Sequence, residues 1–280
     1  MFMQRLVEGF EAGGSPICVG LDPELERLPR CVRDRPDAIF AFNKAIIDAT
    51  ADLVCAFKPQ VAYYSAAGAE DQLVETIRYI RRLHANRLVI LDAKRGDIGS
   101  TAEMYAREAF ERYDADAVTV NPYMGADAVE PFITRKDRGV FILCRTSNPS
   151  GGTFQDLLID GQPLYQRVAL EAAEKWNGHG NVGLVVGATY PTEMRRLRSL
   201  VGNVPFLVPG VGSQGASLAT ALSHGADERG HGLIISSSRA VIYASADDDF
   251  ADAARRAVSA LQIEAEQVRS ELRTNVVLHN

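Results

Sequence analysis

Leu88-Val89-Ile90-Leu91-Asp92-Ala93-Lys94-Arg95-Gly96-Asp97 passes directly from an apolar run to a cluster of charges. Residues two apart on an extended strand point to the same face, so Asp92 and Lys94 are expected to project together from a strand end. Asp97 falls beyond that strand, on a loop, and need not share their direction. Ser100-Thr101-Ala102-Glu103 follows and reads as a capping box that opens a helix. Strand, charged loop and capped helix make one β-loop-α unit, and barrel enzymes keep their chemistry on such loops. A solvated salt bridge is the plainer reading of a charge cluster. Two carboxylates bracketing a lysine at a strand end favour chemistry over it.

The same grammar repeats on both sides of this unit. Short apolar runs at 17–20, 53–57, 88–91, 117–120, 140–143, 182–186, 206–208 and 233–235 are each followed by a loop and a stretch of helical period. Ile39, Phe42, Ile46 and Ala49 share one helical face, as do Leu73, Ile77, Ile80 and Leu83. Val258, Leu261, Ala265, Val268 and Leu272 step by three and four along a long amphipathic C-terminal helix. Eight strands alternating with helices predict one (β/α)8 barrel over residues 1–280, with helical extensions at both ends. A doubly wound open sheet is the other arrangement with this alternation, but no dinucleotide fingerprint accompanies the first strand. The connection over residues 145–163 holds Ser147, Asn148, Pro149, Ser150, Gly151 and Gly152 with little helical pattern. Loops of this length are commonly functional, and this one is read as a lid over the barrel mouth, with a surface insertion of no role as the alternative for its distal half.

Composition narrows the function classes. The 280 residues are 46% hydrophobic and 24% charged, as in ordinary soluble proteins. A net charge of −6 argues against a protein that coats nucleic acid or an anionic membrane. Cys18, Cys31, Cys55 and Cys144 lack metal-ligand spacing, and three of them lie in apolar runs as reduced core thiols would. No signal peptide and no run approaching the ~20 apolar residues of a membrane span are visible. The expected location is the cytoplasm.

A second chemical signal lies after the seventh and eighth runs. Pro209-Gly210-Val211-Gly212-Ser213-Gln214-Gly215 would let backbone amides approach an anion closely. Ser236-Ser237-Ser238-Arg239 adds hydroxyls and a guanidinium one strand later. Loops after strands seven and eight form the recurrent phosphate site of these barrels, where Arg239 could make a bidentate contact.

Taken with Val19-Gly20-Leu21-Asp22-Pro23, Phe57-Lys58-Pro59-Gln60, the continuation Ile98-Gly99-Ser100-Thr101-Ala102 and Thr146-Ser147-Asn148-Pro149, these motifs make the chain resemble the orotidine 5'-phosphate decarboxylase family, in its longer subfamily. The resemblance spans nearly the whole barrel in the family's order. It implies a carboxy-lyase of pyrimidine (UMP) biosynthesis acting on orotidine monophosphate without metal or organic cofactor. By the same resemblance Lys58, Asp92, Lys94 and Asp97 would form an alternating catalytic array, with Lys94 the proton donor. Asp97, and Thr101 beside the ligand, would come from the partner subunit of a homodimer. Asp22 would bind the ribose, Ser147 the pyrimidine, and Pro209, Gln214, Gly215, Ser238 and Arg239 the phosphate region. Nothing assigns a role to the stretch 225–232 or the tail 274–280, and His231 reads as a strand-end residue. Two other readings remain: a Mg2+-dependent keto-sugar-phosphate decarboxylase or epimerase on the same scaffold, and a nucleotide-binding barrel without catalysis.

Overall fold

The computed structural model describes residues 1–212, 216–227 and 231–278. Eight parallel strands close a barrel: β1 (Ile17–Leu21), β2 (Ala56–Pro59), β3 (Leu88–Arg95), β4 (Ala117–Val120), β5 (Gly139–Arg145), β6 (Val182–Val186), β7 (Phe206–Pro209) and β8 (Leu233–Ser237). Each pairs with its sequence neighbours, and β1 with β8 seals the ring through Ile17↔Ile235 and Val19↔Ser237. Closure settles the choice between barrel and open sheet. The strands are covered on both faces, which is why they read as continuous apolar runs rather than alternating ones.

One cluster fills the interior, with Cys18, Ala56, Ile90, Ala117, Phe141, Val185, Leu207 and Ile234 contributed by the eight strands in turn. Phe2 and Leu6 of the N-terminal helix Phe2–Gly13 join it and plug the lower end. Phe2 meets Phe141 edge to ring at 6.1 Å between centroids. A side chain on Gly139 would strike the Phe2 ring, so the glycine makes room for the plug. With the bottom closed, the inward positions one step further along the strands form the floor of the open mouth.

The outer helices pack much as their periodicity foretells. Ile39, Phe42 and Ile46 are buried in the helix Ala38–Thr50, and Val258 and Ala265 in the helix Phe250–Leu278. Leu83 departs from expectation: as the last residue of the helix Glu70–Leu83 it is exposed, and Thr76 and Tyr79 join the buried face instead. Strand two also begins later than the run 53–57 suggests, because residues 51–53 form a 3-10 turn that finishes the preceding helix.

Two local readings are corrected. Ser100 and Thr101 lie inside the helix Gly99–Arg107, whose N-cap is Ile98 with no side-chain cap bond. Glu103, the would-be reciprocal partner, pairs with Arg135 at 2.8 Å, so no capping box forms. The connection 145–163 is not structureless: it holds short helices at Pro149–Gly151 and Gly152–Gln155, then a hairpin pairing Leu158–Ile159 with Gln162–Pro163. Asp160 and Gly161 turn that hairpin with φ of 52° and 79°, a turn that suits an Asp-Gly pair.

Candidate active site

The pleat carries the interior pattern upward into the mouth. Two residues beyond Ala56 is Lys58, beyond Ile90 is Asp92, beyond Ala117 is Thr119, and beyond Ile234 is Ser236. These side chains continue the inward-facing rows of four strands. Lys58, Asp92, Thr119 and Ser236 are all buried although polar. Buried polar groups must be paired, and here Lys58, Asp92 and Thr119 pair with one another.

Asp92 is the hub. Lys58 Nζ donates to Asp92 Oδ2 at 3.0 Å, and Lys94 Nζ donates to Oδ1 at 2.6 Å. Thr119 Oγ1 donates to the same Oδ1 at 2.9 Å. Burial pushes the Asp92 carboxyl up, but Lys58 and Lys94 more than offset it and hold it below the usual carboxylate range. Burial pulls the Lys58 ammonium down, and the negative charges of Asp92 and Asp22 reverse this and hold it above the usual lysine range. The side chain of Lys94 is 46% exposed and faces the open mouth. The arrangement is a buried cation, a buried anion and a second, accessible cation in sequence.

Asp92 and Lys94 do meet, as expected, but not through a regular pleat. The β3–β4 register runs Leu91↔Val118 and then Arg95↔Val120, so residues 92–94 bulge opposite Thr119. Lys94 lies within the bulge at φ 48°, in the left-handed region. For a residue with a long side chain this costs on the order of 1–3 kcal/mol and persists only where surroundings enforce it.

Asp97 does not join the array within its own chain. Its Oδ1 accepts the Ile98 amide at 2.8 Å, and Thr101 is exposed on the next helix. Neither makes an ion pair among the described residues. Asp22 follows β1, and among the described residues its buried Oδ1 has no hydrogen-bond partner. Ser147 is seated by the loop after β6: Thr189 Oγ1 donates to its carbonyl at 3.1 Å, and a Cβ on Gly187 would lie 2.6 Å from Ser147 Cα. Ser238 is seated likewise, since a Cβ on Gly20 of β1 would lie 2.8 Å from Ser238 Cβ. Pro209 ends β7, and Gly210 and Gly212 follow at φ 99° and 81°. Arg239 opens the short helix Arg239–Ile242 and is exposed. Gln214 and Gly215 lie outside the described residues.

Two residues that the sequence did not single out emerge. Thr119 sits in an apolar run, where threonine is ordinary strand material. Arg145 ends β5 almost fully buried and holds the 145–163 connection: its guanidinium donates to Thr146, Gln155 and Asp156 and lies 3.7 Å over the Tyr190 ring. His231 precedes β8 at the opposite end of the barrel, stacked on Phe10 at 6.5 Å beside a cavity of about 360 Å3, away from the array.

Comparison with known proteins agrees with this geometry. The family model described as "Orotidine 5'-phosphate decarboxylase / HUMPS family" matches residues 15–256. The chain is 56% identical to an orotidine 5'-phosphate decarboxylase of Cellvibrio japonicus over 263 residues, covering 93% of this chain and 96% of that one. It is 53% identical to that of Ralstonia pickettii over 269 residues, covering 96% and 99%. The solved OMP decarboxylase of Leishmania donovani superposes with a TM-score of 0.82 at 38% identity, covering 96% of this chain and 98% of that one. Nearly the whole chain is shared with proteins of one name and one barrel, and it belongs to the orotidine 5'-phosphate decarboxylase / HUMPS family.

Proposed function

We infer that the chain decarboxylates orotidine 5'-monophosphate to UMP and CO2, using side chains alone. The observation that carries this reading is the contact sequence Lys58–Asp92–Lys94 on β2 and β3, with its accessible end at Lys94. Loss of CO2 breaks the bond to C6 and leaves the electron pair on that carbon, where resonance does not disperse it. An ammonium beside C6 stabilises the pair and then donates a proton to it. Two unit charges ~4 Å apart interact by roughly 4 kcal/mol at an effective dielectric near 20. That attraction speeds the step because it grows as charge develops. Asp92 orients Lys94 through their 2.6 Å contact, and Lys58 keeps Asp92 ionised.

The other roles follow from position. Asp22 Oδ1, acceptor-only and buried, suits a ribose hydroxyl. Ser147 reaches the base. The loops after β7 and β8, with Pro209, Gln214, Gly215, Ser238 and Arg239, hold the phosphate and supply remote binding energy. The segment 145–163 borders the mouth as an active-site loop. Asp97 and Thr101 complete the site of a second copy in a homodimer; the exposed apolar Ile98, Met104 and Tyr123 on neighbouring segments support an interface there. No helix among the described residues is long and apolar enough to cross a membrane, and the proposed compartment is the cytoplasm.

A divalent cation at Asp92 would have to displace two ammonium groups, which disfavours the Mg2+-dependent alternative on this scaffold. The test is the fall in orotidine monophosphate absorbance on adding purified protein, with and without EDTA, for parent and Lys94→Ala. Chelator-resistant turnover by the parent, none by Lys94→Ala, and retained UMP binding are expected. Dependence on added metal, or an active Lys94→Ala, would overturn the reading.

A further inference from the structure

The bulge in β3 poses a question of backbone accounting. Residues 92–94 stand opposite the single residue Thr119, so their amides cannot all find carbonyls on β4. The Thr119 hydroxyl takes their place. Its oxygen accepts the Ala93 amide at 3.1 Å and the Lys94 amide at 2.9 Å, while its proton goes to Asp92 Oδ1 at 2.9 Å. One donor and two acceptor sites are all a hydroxyl offers, and all are used. Thr119 is 1% exposed, so its hydroxyl is turned wholly to these protein partners.

We propose that Thr119 is a positioning residue: its hydroxyl locks the left-handed backbone of Lys94 and the carboxylate of Asp92 into one unit, aiming the ammonium at the reacting carbon. The inference rests on the proposed role of Lys94 and deepens it. Neither neighbour can do this. Val118 and Val120 carry no polar side-chain atom, and the flanking ladder contacts stop at Leu91 and resume at Arg95. Without the hydroxyl, two part-buried amides and one buried carboxylate oxygen lose a partner together. The bulge then has no reason to retain its strained φ, and Lys94 loses its aim while the distant phosphate loops keep theirs.

Thr119→Val replaces the hydroxyl by a methyl group of similar size. It should lower kcat about five- to a hundredfold, the loss expected for leaving buried polar groups unsatisfied at a reacting site. KM and UMP affinity should change by less than roughly threefold, because the binding loops are elsewhere. Thr119→Ser keeps the hydroxyl and should recover most of kcat. A purely structural residue would lower binding and turnover together and would not distinguish Ser from Val. If Thr119→Val does not fold, Thr119→Ala removes the same hydroxyl without crowding Asp92, and the Ser-to-Ala ratio of kcat is read instead. A ratio near one, with Lys94→Ala inactive in the same assay, would overturn the inference alone. An active Lys94→Ala would overturn the underlying reading.

Discussion

Asp92→Asn separates what the array contributes to stability from what it contributes to chemistry. The substitution keeps size and removes charge. Asparagine Oδ1 can still accept from Thr119, but its amide group is a donor and faces the Lys58 ammonium, also a donor. Lys58 and Asp92 have side chains only 6% and 11% exposed and sit 3.0 Å apart. Removing one partner of so buried a pair costs about 3–5 kcal/mol. The Lys94 contact adds little, about 0–1 kcal/mol, because that side chain is 46% exposed and screened. The melting midpoint should therefore fall on the order of 10 °C, and turnover should be lost.

The pH dependence supplies an independent sign. In the parent, Asp92 is held below its ordinary value, so its stabilisation is complete above about pH 4 and fades only as pH falls through the depressed folded value. Lys58 is held above its ordinary value, so its stabilisation is complete below about pH 10 and is lost only as pH rises through the raised folded value. The pair thus adds no slope between about pH 5 and 9. In Asp92→Asn, burial acts on Lys58 with only Asp22 and Cys18 opposing it, and the ammonium is pulled down. The unfolded chain then binds a proton that the folded chain has released, and stability rises with pH on the alkaline side. Urea midpoints from pH 5 to 10 test both statements. A variant within about 1 kcal/mol of the parent at pH 7, with the same flat alkaline limb, would refute the coupling described here.

Two further outcomes are expected. Gly20→Ala sets a methyl 2.8 Å from Ser238 Cβ, and such crowding costs about 1–3 kcal/mol. It should displace the loop carrying Ser238 and Arg239 and raise KM for the nucleotide more than it lowers kcat; an unchanged KM would remove that loop from binding. Asp97→Ala and Lys94→Ala proteins, each inactive, should regain activity when their subunits are exchanged, because one mixed site then holds both intact residues. No recovery after exchange verified by mass would count against a shared site.

The barrel was legible because a parallel strand buried on both faces must be apolar throughout, and eight such runs stood clear of their loops. Asp92 was legible through the pleat. Lys94 was placed beside it correctly, but for a reason the structure replaces: a bulge and a left-handed backbone, not an even i, i+2 step, bring the ammonium back to the carboxylate. Nothing local marked Lys58, a lone lysine after an apolar run; only the family resemblance named it. Thr119 was hidden because its type is common in strands, and its importance depends on a register shift that no single strand encodes. Ser100 misled because a capping box is a statement about backbone entry, which Gly99 at φ 56° alters. The Asp160-Gly161 turn could have been read from its dipeptide and its flanking apolar residues.

The array's energetics argue for its purpose. A buried ion pair is seldom more stable than apolar packing of the same volume, and a left-handed lysine adds strain of order 1–3 kcal/mol. The apolar interior cluster just beneath shows that this barrel can fill its centre with hydrocarbon where charge is not required. At the next inward step four strands instead supply lysine, aspartate, threonine and serine, all buried. Its lysine, aspartate and threonine satisfy one another, so the layer is tolerated, but none of its local contacts requires the Lys94 ammonium to stand at the open mouth. That placement is intelligible if the mouth receives a group about to become negative at a single carbon. The charge alternation then has one consequence that fits no binding-only role: the Asp92 carboxylate directs the exposed amine toward the place where the proposed carbanion would form.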